Sequence, residues 1–324
     1  MTETTKKAAS AGAGSPALTL PEGKPLLSLA QMFGEEMDAE EAPARVAMPP
    51  LLAAVKRAAR SLPIPALQGL TPFLVLRGRG GSGKTTFARW YASELFEREV
   101  ARFVLAAMDP GVRLLAEFAE AVMQPPSTDP RETVAWLRTF LEQVRKHRAA
   151  GLLDTGGGDT SYSSLIRSWP TIVRDLEESG IGLGAIYFLS PSPDDPSMIG
   201  ADADAGFAPR ATALVCNLAL ADSPRAYDTV RAHADYKAAL ARGAVEIILP
   251  ALEPRALANR IEARRFHFFQ ARDGIVPEGS RHAPIAAGME RTLVREWLEA
   301  MDVEMRPIAE AGWLPWSTAG SAQG

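Results

Sequence analysis

One short stretch restricts the fold of this chain more than any other: FLVLRGRGGSGKTTFARW, from Phe73 to Trp90. Gly78, four residues, then Gly83-Lys84-Thr85 follows the phosphate-loop spacing G-x-x-x-x-G-K-[ST]. Residues 73–76 (FLVL) read as a short buried strand. Thr85–Leu95 then takes helical spacing, with Phe87, Trp90, Tyr91 and Leu95 available to one face. Glycines let consecutive backbone N–H groups curl around an anion with no Cβ in the way. The helix that starts there adds unpaired N–H groups and the positive end of its dipole. The stretch Gly78, Gly80, Gly81, Ser82, Gly83, Lys84, Thr85 and Thr86 is therefore a candidate cradle for nucleotide phosphates. In that cradle Lys84 reaches the β- and γ-phosphates and the Thr85 hydroxyl ligates Mg²⁺. The competing reading is a glycine-rich strand–helix turn that binds nothing. Lysine, threonine, strand and helix together weigh against it.

Past this loop, short apolar runs alternate with helical patterns. Strands are expected at residues 73–76, 102–106, 151–153, 184–189, 214–218 and 245–249. Helices are expected at 85–97, 112–123, 132–147, 162–178 and 225–241. The segments EPRALANRIEARRFHFFQARDG and PIAAGMERTLVREWLEAM supply closing helices. Such alternation implies βαβ crossovers and an α/β fold, a doubly wound and mostly parallel sheet with helices on both faces. Ligands of such sheets sit beyond the carboxyl ends of the strands.

The division along the chain is expected at residues 1–48, 49–310 and 311–324: a flexible N-terminal arm, the phosphate-loop domain and a short tail. The arm is rich in Ala, Gly, Ser, Pro, Thr and Glu. Within it PLLSLAQMFGEEM could form a short helix, and Pro49–Leu62 reads as a better one, with proline at its start and a basic side of Lys56, Arg57 and Arg60. A net charge of −4 and a pI near 5.7 argue against a surface coated in basic charge for nucleic acid. The single cysteine, Cys216, lies in the apolar run ATALVCNLAL and reads as a buried, inert thiol. Four scattered histidines offer no zinc-ligand spacing. No apolar run is long enough to cross a bilayer and no secretory signal is evident, so a cytoplasmic location is expected.

Two further strand ends carry acidic residues. FVLAAMDPG places Asp109 just past the second apolar strand, and LLDTGGGD places Asp154 at the tip of the next, followed by Gly156, Gly157 and Gly158. An acid at such a tip suits a Mg²⁺-holding role, and the glycines can bring N–H groups near a γ-phosphate. The rival reading of DTGGGD is a tight turn in which Asp154 caps a helix.

GRGGSGKTT, then MDP, then DTGGG, then VCN is an order of motifs that resembles the ParA/MinD-type P-loop ATPases, over roughly residues 71–273. The layout is similar to the conjugal-transfer and plasmid-accessory members of that group. The resemblance implies ATP and Mg²⁺ as cofactors, slow ATP hydrolysis, an ATP-dependent homodimer, and a protein partner in plasmid partition or conjugal transfer. It implies that Arg79, where the family carries its signature lysine, reaches the phosphates of the facing subunit. It also implies that Asp109 positions the attacking water, that Asp154 lies near Mg²⁺, that Asn217 reads the adenine edge and that Pro250 lies where the chain passes the base. Lys84, Asp109 and Arg79 are thus the candidate catalytic residues, and Thr85 and Asp154 the candidate metal ligands. Two positions depart from the family pattern: arginine at 79, and Ala107 where the first aspartate of D-x-D-P is expected.

Other signals are weaker. Arg255, Arg260, Arg264, Arg265 and Arg272 alternate with Phe266, Phe268 and Phe269, which offers non-specific DNA contact as one reading and core packing of the phenylalanines as the other. Asp194, Asp195, Asp202 and Asp204 lack the spacing of a calcium loop, and a solvated loop or helix start is expected there. The tail WLPWSTAGSAQG has no basic residue, and Pro315 interrupts any membrane-docking helix, so Trp313 and Trp316 are expected to dock on the protein itself and not on a membrane. A metabolic ATP-dependent ligase on the same fold, similar to dethiobiotin synthetase, and a nucleotide-regulated scaffold that barely hydrolyses are the alternative functions.

Overall fold

Near-continuous apolar runs, with no alternation of polar residues, are what a strand buried on both faces requires. A computed structural model describes residues 63–108, 118, 122–157, 160–276 and 284–316, and in it these runs form one seven-stranded parallel sheet. The strands are β1 (Thr71–Gly78), β2 (Phe103–Ala107), β3 (Val122–Met123), β4 (Ala150–Asp154), β5 (Ile181–Leu189), β6 (Ala211–Asn217) and β7 (Val245–Leu249). Their order is β3-β2-β4-β1-β5-β6-β7 and every pairing is parallel. Phe73 and Val75 face one buried layer, while Leu74 and Leu76 face the other. The α/β class and the helices on both faces are as the alternation of strands and helices implies.

Helices α1 (Lys84–Glu97), α8 (Arg255–Ala263), α9 (Phe268–Asp273) and α10 (Met289–Glu310) cover one face. The other is covered by α2 (Pro130–His147), α3 (Ser161–Ser168), α4 (Ile172–Glu178), α5 (Ser197–Asp204), α6 (Asp228–Ala232) and α7 (Ala234–Ala241). Several expected helices are broken, each for a local reason. The pattern over 162–178 splits at Trp169, whose successor Pro170 disfavours helical backbone in the residue before it. That over 225–241 splits at His233, which is extended and whose Nδ1 accepts from the Asp235 N–H at 3.2 Å, capping α7. The closing segment after β7 divides at Arg265, whose φ is 58°. Val122–Met123, expected to end a helix, instead adds the edge strand β3 beside β2. The arm at 1–48 and the helix over Pro49–Leu62 lie outside the described residues.

The last described residues, 313–316, are part of the core. Trp313 is fully buried and its Nε1 donates to the Pro65 carbonyl at 2.6 Å; Trp316 packs edge-on against Trp90, 6.0 Å between centroids. Phe266, Phe268 and Phe269 are buried as well, as core packing requires. Among the described residues no helix is long and apolar enough to cross a membrane.

Candidate functional site

β1 and β4 are neighbours, and their register sets Leu76 beside Asp154. The loop that leaves β1 and the acid that ends β4 therefore emerge side by side at the carboxyl edge of the sheet. Residues 79–83 form the turn between β1 and α1, with left-handed or otherwise positive φ at Gly78 (146°), Gly81 (74°) and Gly83 (103°). A side chain at Gly78 would meet the Phe188 carbonyl at 2.6 Å, so this glycine is required by space as well as by its φ. The first turn of α1 opens directly from the loop, leaving its leading N–H groups without intrahelical partners.

Lys84 folds back over the turn. Its Nζ donates to the carbonyls of Gly78 and Arg79, each at 2.8 Å. An ammonium has three donors, so one remains for an anion in the cradle. Burial holds its pKa below the ordinary lysine value, against the opposing pull of Asp154, while the Arg77 charge adds to the lowering. An incoming phosphate would supply the negative charge that this buried cation lacks. The Ser82 hydroxyl is buried in the same turn with no hydrogen-bond partner among the described residues.

Thr85 and Asp154 bring two oxygens together: Thr85 Oγ1 lies 3.4 Å from Asp154 Oδ2, and Asp154 is 1% exposed. Hydroxyl plus carboxylate is the donor chemistry a hard divalent cation selects. The other carboxylate oxygen accepts from the Gly156 N–H at 3.1 Å. Thr155 ties the end of β4 to β1 through its hydroxyl, 2.7 Å from the Leu76 carbonyl. Ala107 on β2 stands beside Asp154 in register and is buried, so β2 contributes no second carboxylate at that level. Gly157 lies against Gly80 so closely that a Cβ there would sit 2.4 Å from the Gly80 Cα. The loop after β4 thus touches the phosphate-loop turn directly. Asp109 and Gly158 lie outside the described residues.

Asn217, at the end of β6, faces the turn: its Nδ2 donates to the Ser82 carbonyl at 2.9 Å and its Oδ1 accepts from the Ala219 N–H at 2.9 Å. Its amide thus braces the loop. Pro250 follows β7, whose Leu249 pairs with Asn217, and its carbonyl accepts from Trp297 Nε1 at 3.0 Å. Thr86 is half-buried on α1. All the described candidates for the cradle and the metal, with Asn217 and Pro250, therefore gather at one edge of the sheet.

The fold is a P-loop-type α/β fold. No protein-family model matches the chain, and no curated protein matches it significantly. Among solved structures it is similar to FlhF complexed with GTP and Mg²⁺, at 15% identity and a TM-score of 0.36, over 72% of this chain and 79% of that one. A likeness of that degree carries nothing about which nucleotide this chain takes, and the site's chemistry rests on its own residues.

Two features of the site escape a reading of the sequence. Arg77, on β1 immediately before the turn, is 4% exposed and makes a two-bond pair with Asp202 of α5, Nε to Oδ2 and a terminal nitrogen to Oδ1, both 2.8 Å. Tyr187 donates its hydroxyl to the same carboxylate at 3.0 Å, and Arg77 also reaches the Ser163 hydroxyl at 3.1 Å. Asp202, expected in a solvated loop or helix start, is instead a buried counter-charge near the end of α5. The second feature is Asp195, also expected to be solvated, whose buried side chain pairs with Arg79. Charged residues in an apolar strand and a polar loop carried no spacing from which either pairing could be read.

Proposed function

We infer that this chain is a nucleotide-driven switch, an ATPase that binds ATP with Mg²⁺ at the turn between β1 and α1 and closes as a homodimer in that state. The observation that carries the reading is the convergence of Lys84, with a donor to spare, and the Thr85–Asp154 oxygen pair at one edge of the sheet. Thr85 and Asp154 would hold Mg²⁺, Asp154 directly or through water. Bound there, the ion would neutralise charge on the phosphates. Lys84 and the N–H groups of the turn would orient the phosphates. Asp109, by the family resemblance, would position the attacking water, and Arg79 would meet the phosphates of the facing subunit. Contact between Gly157 and Gly80 gives the loop after β4 a means of registering loss of the γ-phosphate. A partner from plasmid partition or conjugal transfer would read the state, again by resemblance. Adenine is the proposed base, read by Asn217 once nucleotide displaces its present bond to Ser82.

Titration of the protein with ATP and Mg²⁺ tests the reading. Lys84→Ala removes a charge-assisted contact worth about 1.5–3 kcal/mol, so affinity should fall by roughly 10- to 100-fold. Unchanged affinity would refute the site, and a preference for GTP over ATP in competition would refute the adenine assignment.

A further inference from the structure

The geometry points to Arg77 as a positioning residue that pins the root of the phosphate turn to α3 and α5, so that the turn is held in shape before nucleotide arrives. This rests on the reading of that turn as a nucleotide site. Side chains alternate along a strand, so Arg77 follows Phe73 and Val75 into the buried layer under α3 and α5. There its side chain is 4% exposed. Nε donates to Asp202 Oδ2 and one terminal nitrogen to Asp202 Oδ1, both at 2.8 Å. The same terminal nitrogen donates to the Ser163 hydroxyl at 3.1 Å. Tyr187 donates its hydroxyl to Asp202 Oδ2 at 3.0 Å, and the guanidinium carbon lies 4.9 Å from the centre of the Tyr162 ring. Elements α3, α5 and β5 thus meet around one guanidinium. The backbone of Arg77 leads directly into Gly78, whose carbonyl accepts from Lys84 Nζ at 2.8 Å.

Stability alone does not call for this arrangement. Taking a guanidinium and a carboxylate out of water offsets much of their attraction, and an apolar pair of similar volume would hold the layer equally well. What the ion pair adds is direction. A planar fork bonded to both oxygens of one carboxylate has a single orientation, whereas packed methylene groups can slide and rotate. Direction matters here because the turn that follows contains Gly78, Gly80, Gly81 and Gly83, which restrain their own backbone little. A turn that must be ordered on binding gives up part of the binding energy, and one fixed beforehand does not. Helix α3 is also the helix that follows β4, so the bond to Ser163 ties the root of the turn to the chain beyond Asp154.

Two variants separate positioning from packing. Arg77→Lys keeps a cation beside Asp202 and removes the fork that reaches both carboxylate oxygens and Ser163 at once. Arg77→Met combined with Asp202→Leu removes the ion pair and keeps an apolar layer. In the nucleotide-free parent, ¹⁵N relaxation should give the N–H groups of Gly80, Gly81 and Gly83 order parameters near the rigid value of about 0.85, and both variants should bring them toward the flexible range below about 0.6. Calorimetric titration with ATP and Mg²⁺ should show affinity about tenfold lower in both, although urea unfolding leaves the paired replacement close to the parent. A turn as mobile in the parent as in the variants, or as rigid in the variants as in the parent, overturns the pinning. A paired replacement that binds ATP like the parent makes Arg77 a structural residue and overturns the positioning role, and so does a loosened turn at parent affinity. A parent that binds neither ATP nor GTP overturns the nucleotide reading, and the positioning role toward nucleotide with it, while the relaxation measurement still decides whether Arg77 pins the turn.

Discussion

The side chains that make the site are ordinary in type and special in placement. Lys84, Thr85 and the glycines were legible in the sequence because phosphate binding demands those residues at fixed spacing, and the turn places them as that spacing requires. Asp154 was legible as an acid at a strand tip, but its meeting with Thr85 depends on β4 lying next to β1, which spacing alone does not dictate. Arg77–Asp202 was not legible, since its partners are separated by 125 positions and neither belongs to a motif. Cys216 shows the same logic in reverse. It is fully buried on β6, and burial pushes its thiol up to about 12, so almost no thiolate forms at neutral pH. Native protein at pH 7 should therefore resist alkylation by iodoacetamide and react stoichiometrically once unfolded in urea, as mass spectrometry would show. Prompt labelling of the native protein would contradict the burial.

Among the elements, the joints matter more than the spans. The helix patterns placed α1 and α2 to within a residue or two, whereas the breaks at Trp169, His233 and Arg265 were lost because hydrophobic periodicity runs straight through a local cap or kink. β3 was lost for another reason: two residues at a sheet edge are too short for periodicity to register. The joint between the turn after β1 and the loop after β4 is the one with functional weight. Gly157 has no room for a Cβ against Gly80, so Gly157→Ala must push the two loops apart. Overpacking of this kind costs about 1–3 kcal/mol. Taken from the geometry of the turn, it should lower ATP affinity by about tenfold in the same titration. An unaltered affinity would show that the contact is incidental. A second joint, α5 to β1, depends on Asp202. Asp202→Ala leaves Arg77 buried without its counter-charge and should lower stability to urea by about 3–5 kcal/mol, whereas replacing the pair together by Arg77→Met and Asp202→Leu should recover most of that loss.

At the scale of the molecule, the parallel doubly wound sheet was the most legible result, because buried parallel strands and crossover helices leave distinct patterns in the chain. The strand order was not, and the order is what brings Lys84, Thr85 and Asp154 together while setting Asn217 and Pro250 at the same edge. The tail was read as docking on the protein; Trp313 is in fact fully buried in the layer under α1 and α10. The proposed switch would change the molecule's association with nucleotide: Arg79 is exposed on the turn, where a second copy could reach it. The mass of the protein in solution, measured with Mg²⁺ and either ADP or a non-hydrolysable ATP analogue, tests this most directly. A monomer with ADP and a dimer with the analogue is the predicted result; the same mass in both would contradict it.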